Sequence, residues 1–83
     1  MELQLAFNYI KAQFEKNLEI IKDYALKLKV SGNYKDFETR LTWDCIRIFI
    51  GTGTVCLWYK HYNCNDAHIE AIGKKVLKEL EII

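Results

Sequence analysis

Two incompatible hydrophobic periods divide this chain. From its start the apolar residues fall at Leu3, Phe7, Ile10, Phe14, Leu18, Ile21, Ala25 and Leu28, three or four apart throughout. That is the spacing of a helix buried along one stripe. Gln4, Asn8, Lys11, Glu15, Lys22 and Asp23 lie between them as a solvated face, with Asp23 and Lys27 placed for an i,i+4 ion pair. Ser31-Gly32-Asn33 supplies the stop, because Gly and Asn accept the left-handed conformation that closes a helix C-terminus.

The period then changes to two. Phe37, Thr39, Leu41, Trp43 and Cys45 alternate with Glu38, Arg40, Thr42 and Asp44, as in a half-buried strand. Ile46, Ile48 and Ile50 continue in the opposite parity, which implies a bulge near Asp44-Cys45 or cover on both faces. A helix over Tyr34 to Leu41 is the alternative. Gly51-Thr52-Gly53-Thr54 has turn chemistry, and Val55 to Tyr59 is β-branched and aromatic, so the segment reads as a β-hairpin. Asn65 or Asp66 then caps a second helix, whose seam is Ile69, Ile72, Val76, Leu80 and Ile83 and whose Glu70 and Lys74 stand four apart. Gly73 weakens that helix, which is explained if a neighbour must approach closely there. The expected fold is α+β and two-layered: a long N-terminal helix, a hairpin with an extended, bulged first strand, and a C-terminal helix.

Eighty-three residues, 51% hydrophobic and 28% charged, make one globular domain over 1–83. With 12 basic against 11 acidic side chains there is no global field to draw in nucleic acid. Three cysteines form no disulfide framework and follow no leader pattern, which implies reduced thiols in a cytosolic setting, of the organism or of an infected host cell. Apolar runs are too short for a membrane span.

A two-residue turn at Thr52-Gly53 would set Ile50 against Val55, Ile48 against Leu57 and Ile46 against Tyr59 on the face that the helices cover. The opposite face would then carry Trp43, Arg47, Phe49, Trp58, Lys60 and Tyr62, with Arg47 across from Trp58. Such an aromatic and basic patch is composed like an interface core, and these six are the expected partner-binding residues. The alternative is that the bulge turns Trp43 inward or that the first helix covers this face.

Self-association as a homodimer follows from surplus surface. A helix of about 26 residues spans ~39 Å, whereas eight strand residues cover only ~27 Å. Phe37 to Leu41 would lack a strand partner, and a lone hairpin is marginal in water.

His61, Cys64 and His68 are the nearest approach to a metal site, but they offer three ligands with no Cys-x-x-Cys to nucleate them. Cys64, His61 and Asp66 have the residue types of a thiol nucleophile and its base, yet neighbours on a short loop rarely converge on one atom. Gly51-x-Gly53 leads into a strand on this reading, so it is no phosphate loop. No catalytic residue and no cofactor is therefore expected. The function expected is that of a non-enzymatic binding protein that docks on a macromolecular partner, most simply a protein, and modulates or inhibits it. Analogy of size places phage or mobile-element counter-defence factors in that class. An RNA or single-stranded DNA binder that stacks bases on the same aromatic and basic face is the alternative function.

Overall fold

The computed structural model describes residues 2–32 and 36–83, and every regular element among them is helical. Helix α1 runs Glu2–Lys16, α2 Leu18–Ser31, α3 Phe37–Cys45, α4 Thr52–Tyr62 and α5 Asp66–Glu79; a π-helical segment, Ile46–Ile50, continues α3. The expected α+β architecture is thus replaced by an all-helical one, and no hairpin exists among the described residues.

The segment read as a strand pair carries a second period that the structure uses. Leu41 and Cys45, and likewise Thr42, Ile46 and Ile50, are buried four apart. On α4 the buried pair Val55 and Trp58 continues to the half-buried Tyr62, at spacings of three and four. Ile48 and Leu57, expected beneath the helices, are instead 64% and 55% exposed. The β-branched residues here favour a strand only weakly and in context, while burying a helical stripe recruits the whole core. The turn is also shorter than expected. Gly51 alone, at φ 95° and ψ 143°, separates the two helical stretches, and Thr52-Gly53-Thr54 forms the first turn of α4. The π segment closes onto it through the Gly51 N–H, which donates to the Ile46 carbonyl at 3.0 Å.

The first seam is helical as expected but is not one helix. Asn17, at φ −116° and ψ 24°, interrupts it, and its side-chain amide donates to the Gln13 carbonyl at 2.8 Å. Ala6, Ile10 and Phe14 of α1 are buried against α5, the π segment and α4, whereas Ile21, Ala25 and Leu28 of α2 are buried chiefly against α3. The expected overhang requires one continuous helix, which the break at Asn17 removes, and Phe37 to Leu41, expected as an unpaired strand, begins α3 instead. Gly32 closes α2 in the left-handed conformation at φ 69°. Asn33 and Tyr34, expected in the helix stop and in the alternative helix respectively, lie outside the described residues.

Local polar contacts match the sequence reading. Asp23 and Lys27 pair at 3.0 Å, and Glu70 and Lys74 at 3.4 Å. Asn65 is the cap of α5: its side chain accepts from the His68 N–H while the Asn65 N–H donates to His68 Nδ1, both at 3.1 Å.

Gly73 meets the expectation of close approach. A Cβ built on it would stand 2.6 Å from Thr42 Cγ2 and 3.0 Å from Ile46 Cδ1. Thr42 cannot easily yield, since it is fully buried and its hydroxyl donates to the Glu38 carbonyl at 2.7 Å. Gly73→Ala would gain about 1 kcal/mol of helix propensity but overpack the α3–α5 contact, which costs about 1–3 kcal/mol. We expect a net loss in urea denaturation; a variant as stable as wild type would mean that the two helices separate without cost.

Candidate binding surfaces

A buried carboxylate organises the polar side of the α2–α3 contact. Asp44 is 4% exposed and accepts hydrogen bonds from the Tyr24 hydroxyl, from Arg40 Nε at 3.0 Å and from the Arg47 guanidinium. Burial pushes its pKa upward, but the three donors outweigh it and hold the carboxyl below its ordinary value. Tyr24 is raised, first by its hydrogen bond to Asp44 and then by burial. Arg47 is thereby tethered at its guanidinium while remaining largely exposed.

Beside it, α3, the π segment and α4 enclose a hollow of about 190 Å³ lined by Trp43, Ile46, Arg47, Thr52, Val55, Cys56 and Tyr59. The spacing explains the convergence: Trp43, Ile46 and Arg47 stand at i, i+3 and i+4, and Thr52, Val55, Cys56 and Tyr59 at i, i+3, i+4 and i+7. Both aromatic walls are fixed at their polar ends. Trp43 Nε1 donates to Glu70 at 2.8 Å, and the Tyr59 hydroxyl donates to Asp66. Burial, followed by the hydrogen bond to Asp66, pushes the Tyr59 phenol up, so the ring presents a neutral, apolar face.

Of the six expected partner-binding residues, the structure brings Trp43 and Arg47 together in this hollow. Trp58 departs most from its expected place. It is 8% exposed and packs edge-on against Tyr9, ring centroids 5.7 Å apart, so it is core and does not face Arg47. Phe49 and Tyr62 are half-buried against the core, and Lys60 is exposed on α4 away from the lining. Tyr59, Val55 and Cys56 escape a hairpin reading because it divides them between two faces; the i, i+3, i+4 spacing is the signal that finds them.

A second, larger concavity of about 450 Å³ lies along α2. One wall is Lys22, Ala25, Leu26 and Lys29, again at i, i+3, i+4 and i+7; Phe37 and Glu38 at the start of α3, with Glu81, Ile82 and Ile83 beyond α5, form the remainder. The chain is turned into this position after α5 by Glu81, which takes the left-handed conformation at φ 61° while the Ile82 N–H donates to the Leu77 carbonyl at 2.9 Å.

The metal and thiol candidates are engaged elsewhere. His68 Nδ1 serves the helix cap, and the Cys64 thiol contacts the Trp58 carbonyl at 3.5 Å and is raised by burial. His61 is exposed on α4, and among the described residues no group of three ligating side chains could hold a metal. Burial, followed by the charge of Asp44, pushes the Cys45 thiol up to about 12, which leaves it a packing residue. All three cysteines are free, and no described helix is long and apolar enough to cross a membrane. Comparison with protein-family models, curated proteins and solved structures gives no match to this chain.

The Asp44 cluster has a pH signature. Because the folded carboxyl is held below its unfolded value of about 4, its stabilisation is fully present above that value and is lost as pH falls through the folded pKa. Asp44→Asn should cost about 2 kcal/mol at neutral pH through the lost charged hydrogen bonds. It should also flatten the fall in melting temperature below about pH 4. Parallel acid slopes for the two proteins would show that Asp44 does not carry this linkage.

Proposed function

We propose that this chain is a non-enzymatic binding protein that takes an apolar side chain of a protein partner into the hollow between α3 and α4, and modulates the partner by covering its surface. The observation that carries this reading is the pairing of Trp43 and Tyr59 as rigid aromatic walls with the tethered Arg47 at the lip. Trp, Tyr and Arg are the residues in which binding energy concentrates, in pockets that a partner's anchor can fill. A volume near 190 Å³ falls below the about 300–1,000 Å³ of small-molecule sites. It matches one anchoring side chain better than a cofactor or substrate. On the α4 side, the exposed Thr52 and Cys56 line the hollow and bring it to the surface.

The nucleic-acid alternative rests on a sheet face whose aromatics, Trp43 and Trp58 among them, are interleaved with Arg47 and Lys60 to stack bases. Trp58 is buried instead, and the Trp43 indole N–H is held by Glu70. The protein partner is therefore the better-supported reading.

Thr52→Asp and Cys56→Asp test it, since both positions line the hollow yet are exposed and should leave the melting temperature unchanged. Each should weaken capture of the protein partner from the native host by about thirtyfold or more, the range of interface hot spots. Normal capture by both variants, with melting unchanged, would overturn the assignment of this surface.

A further inference from the structure

The groove along α2 combines features that together specify its occupant. Its floor is apolar, from Ala25, Phe37 and Ile82, and its charges are segregated: Lys22 and Lys29 on the α2 wall, Glu38 and Glu81 on the other elements. Among the described residues none of these four side chains is joined in an ion pair. Glu81 occupies a left-handed position that glycine adopts freely and other L-residues adopt at a cost, so a carboxylate is held at the rim where local geometry alone would favour glycine.

The helix that forms the basic wall also carries a ridge. Leu26 is 64% exposed and Val30 83% exposed, one turn apart on the side of α2 away from buried Ile21 and Leu28. An apolar ridge and an apolar groove side by side on one helix are the arrangement that a two-fold axis makes complementary to itself. We propose that the groove receives α2 of a second copy of this chain, giving a symmetric dimer. Leu26 of each copy enters the groove of the other, and Lys22 and Lys29 of each come opposite Glu38 and Glu81 of the other. The acidic and basic walls, unpaired within one chain, are then paired between two. This dimer uses a different surface from the hollow between α3 and α4 and leaves that hollow open.

Light scattering and sedimentation equilibrium on the full chain test the proposal. Wild type should have the mass of two chains in the micromolar range, and Leu26→Asp the mass of one, with unchanged circular-dichroism melting because the position is exposed. Glu38→Lys with Glu81→Lys makes all four groove charges positive, and Lys22→Glu with Lys29→Glu makes them all negative. Each double variant alone should associate at least thirtyfold more weakly than wild type, and an equimolar mixture of the two should recover the mass of two chains. A wild-type protein that stays one chain up to millimolar concentration overturns the dimer. A dimer that survives Leu26→Asp, or a mixture that stays monomeric, overturns its assignment to this groove.

Discussion

The buried Asp44 carboxylate is the interaction on which the arrangement of helices depends. Removing a carboxylate from water costs several kcal/mol, and that cost is met only when donors saturate it. Here the donors come from three turns of structure: Tyr24 on α2, Arg40 one turn earlier on α3, and Arg47 on the π segment. The Tyr24 contact orients α2 on α3, because a hydrogen bond is directional where the packing of Ile21, Ala25 and Leu28 beside it is not. The Arg47 contact sets where the guanidinium stands at the lip of the hollow. Both concavities therefore share one electrostatic anchor: the first borrows Arg47 from it, and the second lies between helices whose separation it sets.

The two concave surfaces differ in what defines them. In the hollow, aromatic rings are locked by polar contacts at their outer ends, so little conformational freedom is left to lose on binding. Along α2 the definition is by charge, with two lysines and two glutamates around an apolar floor. A rigid pocket and a charge-patterned groove suit different tasks, anchoring one side chain in the first case and fixing the register of a helix in the second.

Features local in the chain were legible in the sequence. The Asp23–Lys27 and Glu70–Lys74 pairs, the Asn65 cap and the Gly32 stop depend on residues within four positions of one another, and each is present. The Gly73 contact was legible for another reason: a helix-weakening residue inside an otherwise regular seam needs a packing explanation. Residues 37–59 mislead because their apolar positions satisfy both periods. Leu41 and Cys45 fit a strand at every second residue and a helix at every fourth, and only the rest of the core decides between them. Asp44 reads as a solvent-side residue, since nothing in its neighbours' identities announces a tyrosine twenty positions away. Trp43 and Arg47 stand out for their chemistry and do share a site, although the hairpin geometry expected to unite them does not exist.

Gly51 is the whole joint between the π segment and α4: a single non-helical residue with helical conformation on both sides. Such a joint has no slack. Each residue added to a helix turns the succeeding chain by about 100°, so one extra helical residue between Ile50 and Thr52 would carry Trp58 off the core and bring Thr54, Leu57 and His61 to the places of Val55, Trp58 and Tyr62. Lengthening of this chain in the course of descent would therefore be absorbed elsewhere, while the number of residues between buried Ile46 and buried Val55 stays fixed.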